Sequence, residues 1–552
     1  MHTIPAILTG SVRRHADRPA LQMHGRPEPD AYTYARLGRA ASGAAARLAA
    51  RGVGPGDPVA LLGGNGPEWV VAYFALHLRG AVCVPLDPLL SPAEAGGILR
   101  VSGSGLLIAS DALRDAAAAA AEESGPPLLS LEELASGADA EGTASAPDGE
   151  IAGEDDPAVI VFTSGTSGQA KGVVLTHRNI AANARAGAEW LGTTPEDRYL
   201  SILPLNHMFE QTAGLMIPIA SGASIYYAGS RNPRTIVEAM RASRATLTTM
   251  VPGLVRLLHK RIASALTSGP AWRRAGFRAA LGLCRTARAV GLRPERRLLR
   301  RIHEAFGGRM RFIVCGGAPL DAEPAAFFRD VGLPVLQGYG LSEAGPIVSV
   351  NRLGEHAMGS VGKPLPGVEV RVDAPPGADV GEVQVRGPNV MPGYFADDRA
   401  TGEAFAADGW LRTGDLGRVD ERGYLWICGR LKDVIVGESG KNVYPEEIEA
   451  ALVLSPHLRG VCVLGYRPED RPGAGEAPLV IVTPDPDDPP PGEGSPEQRL
   501  MGEVRRRCRP LAGYKQPRYF AAWPGELPRT HTLKLRKTAI RDRLGELDIR
   551  PL

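Results

Sequence analysis

Apolar and polar positions follow two different periods along the first 110 residues. In YARLGRAASGAAARLAARGV (34–53) the apolar residues recur at helical spacing, whereas GDPVALLGG (56–64) gathers them into a short run that reads as a buried strand. Gly52 and Gly54 mark the stop between the two. This alternation predicts an α/β fold with mostly parallel strands. Three later apolar runs break into glycine: VIVFTSGTSGQAKGVV (159–174), RFIVCGGAPL (311–320) and PVLQGYGLSE (334–343). In open α/β sheets ligands collect where strands end and the chain turns, so these junctions are the expected walls of a binding site. Residues 111–157, rich in Ala, Gly, Pro and acids, predict a variable surface connection. Past Gly429 the pattern changes to a smaller unit, with a helix over 445–454, strands at VCVLGY and PLVIVT, and a late helix over 498–507. Its proline-rich loop PDPDDPPPGEGSPE is expected in solvent. The expected division is a large domain over 1–430 and a separate lobe over 431–552.

Composition bounds the function. A chain of 552 residues exceeds one ordinary core, so two or more domains are expected. Lys and Arg number 63 against 61 Asp and Glu, a formal charge of +2, so no nucleic-acid partner is expected. Charge is concentrated locally instead, in the arginine-rich stretch 256–311. There Leu298, Ile302 and Phe306 recur at helical spacing among Arg296, Arg297, Arg300 and Arg301, which predicts an amphipathic basic helix. Such a helix is either a solvated face over a core stripe or a contact for anionic lipids, an acidic carrier protein or CoA phosphates. The six cysteines, at 83, 284, 315, 428, 462 and 508, contain no C-x-x-C pair and are expected as buried, reduced thiols. The N-terminus lacks the long apolar core of a secretory signal, and no apolar stretch reaches bilayer length. A cytoplasmic location is expected, with peripheral membrane contact open through 256–311.

The loop after VIVF is built for phosphate. Gly165, Gly168 and Gly172 let the backbone turn tightly and aim N–H groups at an anion, Thr163, Ser164, Thr166 and Ser167 add hydroxyls, and Lys171 adds charge. The P-loop rule nevertheless fails, because Gly172 follows the lysine where Ser or Thr is required. Kinase-like and ATPase-like nucleotide folds are thereby disfavoured.

Taken with QGYGLSEAGP (337–346), GWLRTGDLG (409–417), GRLKDVIVGESGKNVYPEEIE (429–449) and LPRTHTLKLRKTAIR (527–541), the loop resembles the adenylate-forming superfamily. That group includes acyl-CoA synthetases, peptide-synthetase adenylation domains and luciferases, and the motifs match in order along nearly the whole chain. The resemblance implies stacked, mostly parallel sheets with helices in the large domain, a small mobile α+β lobe, and ATP, Mg²⁺ and CoA as cofactors. It also assigns roles. Lys534 is implied as the catalytic lysine bridging acyl carboxylate and α-phosphate. Glu343 is implied as the Mg²⁺ ligand, with Ser342 standing where a phosphate-contacting Thr is usual. Asp415 would accept hydrogen bonds from the ribose hydroxyls and Arg430 would hold ribose or phosphate. Gly316, Gly317 and Ala318 match the segment along the adenine, and Gln337, Gly338, Tyr339 and Gly340 would close its other side. Lys432 matches the hinge about which the lobe turns, and Gly440 and Lys441 lie on the face presented for thioester formation. His207, in LPLNHMFEQ, has no neighbour at metal spacing and would line the acyl carboxyl end with Phe209; a satisfied core histidine is its other reading.

Two positions depart from the superfamily's pattern: Ala170 replaces a usual proline in the phosphate loop, and Leu533 replaces a usual glycine before Lys534. The T-x-T-L-K ending, Glu210 and the long basic segment before RFIVCGG resemble the long-chain fatty acyl-CoA ligases. The expected function is ATP-dependent activation of a medium- or long-chain fatty acid to acyl-AMP and transfer to CoA. The alternatives are a fatty acyl-AMP ligase that loads an acyl carrier protein in natural-product biosynthesis, and a non-catalytic acyl or nucleotide sensor.

Overall fold

A computed structural model describes residues 2–122, 125–136, 151–164, 170–230, 232–268, 270–437, 441–453, 455–468, 475–529 and 535–552. They divide into two compact units, Met1–Val370 with Val385–Leu411, and Arg371–Gln384 with Arg412–Leu552. The mixed α/β architecture, a large sheet-rich unit and a smaller one, is the class the pattern predicts.

Two sheets organise the large unit. In the wider one, the strands Val335–Gly340, Phe312–Cys315, Leu247–Met250, Arg198–Ser201, Ser224–Tyr227 and Pro19–Met23 lie side by side in that order and all pair parallel. Antiparallel strands close both edges. The second sheet carries parallel strands at Pro157–Ser164, Val82–Leu86, Pro58–Leu62, Leu106–Ala109 and Leu128–Ser130. Helix Pro67–Leu78 (PEWVVAYFALHL) touches strand Pro19–Met23 of one sheet and the strands Pro58–Leu62 and Val82–Leu86 of the other. A helix apolar on every side must be covered on every side, and here only Glu68 escapes burial. The predicted helix at 34–53 forms as Tyr34–Ala50, started by Thr33, whose hydroxyl accepts from the Arg36 N–H, with Leu37, Ala41, Ala44 and Leu48 turned inward.

Two expectations are corrected. Residues 111–136 are not simply a surface connection: they form helix Arg114–Glu122, strand Leu128–Ser130 at the sheet edge and helix Leu131–Ser136, with Leu129, Leu131 and Leu134 buried. Alanine-rich composition resembles a linker but also suits a helix packed closely on a sheet. The stripe Leu298, Ile302, Phe306 is not one helix. The chain breaks at Leu299 (φ −112°) between Glu295–Leu298 and Arg300–Ala305, which buries Leu299 and leaves Leu298 45% exposed. The long basic amphipathic helix lies upstream, at Ala271–Ala289, and packs Phe277, Ala280, Leu281 and Cys284 on the core at helical spacing.

The smaller unit holds a four-stranded sheet ending in Leu411–Val419 and Leu425–Arg430, and a second sheet of Leu458–Tyr466, Ala477–Pro484, Tyr519–Ala522 and Arg550–Pro551. In the latter the period of two is visible in burial. Val461, Val463, Val480 and Val482 face helices Pro445–Leu452 and Pro496–Cys508, while Cys462, Leu464, Leu479 and Ile481 face Trp523 and Ile540. The residue 430/431 boundary read from sequence falls within this unit. Five of the six thiols are buried and Cys428 is half-buried; none forms a disulfide.

Candidate active site

The two strands that flank the glycine-rich segment form a hairpin. Pro157–Ser164 and Ala170–Thr176 pair antiparallel with Thr163 opposite Lys171. Gly165, Thr166, Ser167 and Gly168 lie outside the described residues, and Ser164 is described by its backbone only. Gly172 has a packing reason: a Cβ there would come within 3.0–3.2 Å of the side chains of Ile160, Phe395 and Phe162. A Ser or Thr there, as a P-loop places after its lysine, would require these neighbours to shift by a few tenths of an ångström.

The short strand Gly393–Tyr394 adds to the hairpin, with Tyr394 opposite Val173. Lys171 Nζ then lies 5.1 Å from the Tyr394 ring centroid, and the Tyr394 hydroxyl donates to Glu343 Oε1 at 2.9 Å. Burial, then the nearby Glu343 charge, pushes the Tyr394 pKa upward and keeps the phenol a donor. Tyr394 therefore connects two sequence-predicted site residues that lie on different elements, and sequence reasoning missed it; its only signal was an aromatic residue in the PGYF segment.

Glu343 sits on a turn between the strands Val335–Gly340 and Ile347–Val350. Hydrogen bonds fix the backbone on both sides of it. Leu341 N–H donates to the Pro346 carbonyl (3.0 Å), Met391 N–H to the Glu343 carbonyl (2.9 Å), Asn389 Nδ2 to the Ala344 carbonyl (2.8 Å) and Thr212 Oγ1 to the Gly345 carbonyl (3.1 Å). Ser342 opens the same turn. Among the described residues no group of three His, Cys, Asp or Glu side chains forms a metal cage. One carboxylate held by Tyr394 fits Mg²⁺ all the same, since that ion usually takes one or two protein oxygens and the rest from phosphate and water.

Three sequence motifs meet at Gly316. Its N–H donates to the Met250 carbonyl at 3.3 Å, and a Cβ on it would lie 3.3 Å from Phe209 Cζ and 3.6 Å from the Gly338 carbonyl oxygen. Gly317 adopts φ +88°, where glycine carries no steric cost. Gly316–Ala318, the Gln337–Gly340 segment and the segment carrying His207 and Phe209 thus come together at the C-terminal edge of parallel strands. Gly340 is needed for a different reason: its Cβ would sit 1.9 Å from the Pro346 carbonyl oxygen. Gln337 is buried and Tyr339 half-buried. His207 places Nε2 at 3.6 Å from Asp87 Oδ2.

Glu210, on a π-helical turn spanning Glu210–Met216, is fully buried. It accepts from Ser201 Oγ (2.6 Å) and from Thr249 Oγ1. Burial raises its pKa to about 7 against the pull of those two hydroxyls. Gly214 makes room for it, because a Cβ at 214 would lie 2.4 Å from the Glu210 carboxyl carbon.

In the smaller unit, Asp415 and Arg430 are paired in strand register, with Nε 2.8 Å from Oδ1 and Asp415 buried. A buried carboxylate beside a guanidinium offers its oxygens as acceptors for hydrogen bonds donated by hydroxyls. Lys432 lies in the turn Leu431–Asp433, where burial lowers its pKa. Lys441 is exposed, its Nζ 4.8 Å from the Tyr514 ring centroid. Lys534 and Gly440 lie outside the described residues. Lys537, three positions past Lys534, has its Nζ 3.4 Å from Glu449 and 3.7 Å from Asp433.

An α/β enzyme of the nucleotide-using kind is the class that this fold and the motifs brought together on it define. The family model of the AMP-binding enzymes matches residues 8–395. The chain belongs to that family, the adenylate-forming acyl-CoA synthetases. It is 32% identical over 523 residues to a feruloyl-CoA synthase from an Amycolatopsis species, covering 93% of this chain and 94% of that protein. It is 31% identical over 504 residues to the long-chain-fatty-acid–CoA ligase FadD15 of Mycobacterium bovis, covering 84% and 82%. Among solved structures, ATP-bound MatB from Rhodopseudomonas palustris superposes with a TM-score of 0.79 at 28% identity, covering 98% of each chain.

Proposed function

We propose that the protein is an AMP-forming acid–thiol ligase acting on a medium- or long-chain fatty acid. In the first half-reaction the carboxylate attacks the α-phosphorus of ATP, giving acyl-AMP and pyrophosphate; in the second, the CoA thiol displaces AMP. The meeting of three motifs at Gly316 is the observation that carries this reading. Two anions must approach each other, so the chain's work is to position them and suppress their repulsion. Lys171 and the loop N–H groups hold the phosphates, Glu343 anchors Mg²⁺, Asp415 and Arg430 hold the ribose, and Lys534 joins acyl carboxylate to α-phosphate. Mg²⁺, when bound, supplies further neutralisation of the phosphates. Lys432 is the pivot, and Gly440 and Lys441 belong to the face used for the thioester step.

The fatty-acid assignment draws support from Glu210, the T-x-T-L-K ending and the likeness to FadD15. A second reading, an aromatic acid of the hydroxycinnamate type, is favoured by the similarity to a feruloyl-CoA synthase. Pyrophosphate release measured over a ladder of carboxylic acids, from octanoate to stearate with ferulate alongside, separates the two. Turnover with ferulate alone selects the second, and silence with every acid rejects both. Supplying CoA or a phosphopantetheinyl carrier protein as acceptor then distinguishes a CoA ligase from a carrier-loading enzyme. In Lys534→Ala, ATP–pyrophosphate exchange should fall by at least about 100-fold with nucleotide binding retained; unchanged exchange would favour the sensor.

The helix Ala271–Ala289 is proposed as a peripheral membrane contact. Trp272, Leu283, Val290 and Leu292 are more than half exposed, and Arg273, Arg274 and Arg278 make no ion pair among the described residues. No helix among the described residues is long and apolar enough to cross a membrane.

A further inference from the structure

The parallel strands of the wide sheet present two edges, and only their C-terminal edge carries the glycine junctions. At the opposite edge a crevice of about 300 Å³ opens where Pro19, Arg198 and Ser224 begin their strands and Thr246 precedes the next. A cavity this size suits a small ligand. Four arginines line it: Arg18, Arg198, Arg244 and Arg309. The carboxylates present are already engaged. Asp197 receives Arg311 at 2.6 Å, and Glu196 lies 3.4 Å from Arg18.

Arg198 is the anchor. Its partners are neutral: Nε donates to Ser224 Oγ at 3.4 Å and NH1 to the Ser243 carbonyl at 3.0 Å. Burial is the main cause that lowers its pKa; Tyr226 and Glu28 pull it up, and Arg309 and Arg244 push it down. Arg244 holds φ +48°, a conformation that favours Gly or Asn. Gly307 packs against it so closely that a Cβ at 307 would lie 2.8 Å from the Arg244 Cα. This contact brings the turn carrying Arg309 beside Arg244. Among the described residues neither Arg244 nor Arg309 makes an ion pair. Arg198, Arg244 and Arg309 place three like charges around a cavity whose own carboxylates, Asp197 and Glu196, are paired with Arg311 and Arg18, and a bound anion would offset their mutual repulsion.

We propose that this crevice is a binding site for a small phosphoryl-bearing anion, separate from the phosphate hairpin. Guanidinium groups bind phosphoryl oxygens through paired, charge-assisted N–H bonds, which is the chemistry that a cluster of this kind offers. The phosphoryl group comes either from a free small molecule or from a lipid headgroup.

The test uses the full chain and the variant Arg244→Gly/Arg309→Ala. Both side chains are exposed, and glycine suits φ +48°, so the variant keeps the fold. Hydrogen exchange is followed in peptides covering 195–199, 243–247 and 307–311, in magnesium-free buffer, with inorganic pyrophosphate as probe. Exchange should slow in all three peptides of the wild type, and the pyrophosphate concentration needed should rise at least about tenfold in the variant. A parallel arm replaces pyrophosphate with phosphatidic acid in phosphatidylcholine vesicles. Protection by pyrophosphate alone assigns a free anion; protection by vesicles that the variant loses assigns a headgroup. No protection of these peptides by either probe, or protection equal in wild type and variant, overturns the proposal.

Discussion

Tyr394 shows how much of the site depends on one hydroxyl. It spans from the Lys171 ammonium to the Glu343 carboxylate, and replacing it with Phe keeps the ring under the lysine while removing the 2.9 Å bond. A hydrogen bond to a charged group is worth roughly 1.5–3 kcal/mol, so Tyr394→Phe should lower kcat about tenfold or more with little change in the KM for the acid. Steady-state kinetics at saturating ATP will show it, and a rise in acid KM at constant kcat would contradict it. Glu210 makes a prediction about pH. Its folded pKa of about 7 lies above the ordinary 4.5, so the folded chain holds the proton more tightly than the unfolded chain. The stability gained from that tighter hold is full below pH 4.5 and is lost as pH rises towards 7, by on the order of 3 kcal/mol. Glu210→Gln should abolish this slope and match or exceed wild-type stability above pH 7, as read from urea midpoints across that range. Contiguous motifs such as YGLSE and TGDLG were legible because their chemistry resides in adjacent residues. Tyr394 was not legible, because its place beside Lys171 comes from the pairing of Tyr394 with Val173, 221 positions away in the chain.

At the level of elements, the sequence pattern was most reliable where burial is one-sided or complete. The alternating strands of the smaller unit and the helix Tyr34–Ala50 formed where the spacing indicated. The arginine-rich region misled, because its apolar residues support two incompatible registers, and tertiary packing selected Leu299 over Leu298. The helix Ala271–Ala289 carries the prediction that belongs here. Changing Arg273, Arg274 and Arg278 to Gln removes three exposed charges without touching Phe277, Leu281 or Cys284. At roughly 1 kcal/mol per basic residue near an anionic surface, the partition coefficient onto phosphatidylserine vesicles should fall by about 100-fold. Sedimentation at low salt measures it; unchanged partitioning would remove this helix as the contact.

For the whole molecule, the sequence pattern changes near Gly429, whereas the second compact unit takes in Arg412–Leu552 together with Arg371–Gln384. A β-segment that leaves one unit and completes a sheet of another leaves no trace in local periodicity. The pivot proposed at Lys432 lies inside the second unit, in a turn whose dihedral angles a proline would restrict. Lys432→Pro should therefore separate the half-reactions, lowering one by about 100-fold or more while the other stays within about threefold. Pyrophosphate exchange and single-turnover thioester formation report them independently, and equal losses in both would argue against a pivot there.

The contact between Gly214 and Glu210 has an evolutionary consequence. Neither position is free to change size alone: any side chain at 214 collides with the carboxyl group, and shortening residue 210 leaves two hydroxyls without their acceptor and a hollow in the core. Lineages that abandon one should abandon the other, and laboratory libraries that randomise either position singly will sample mostly failures.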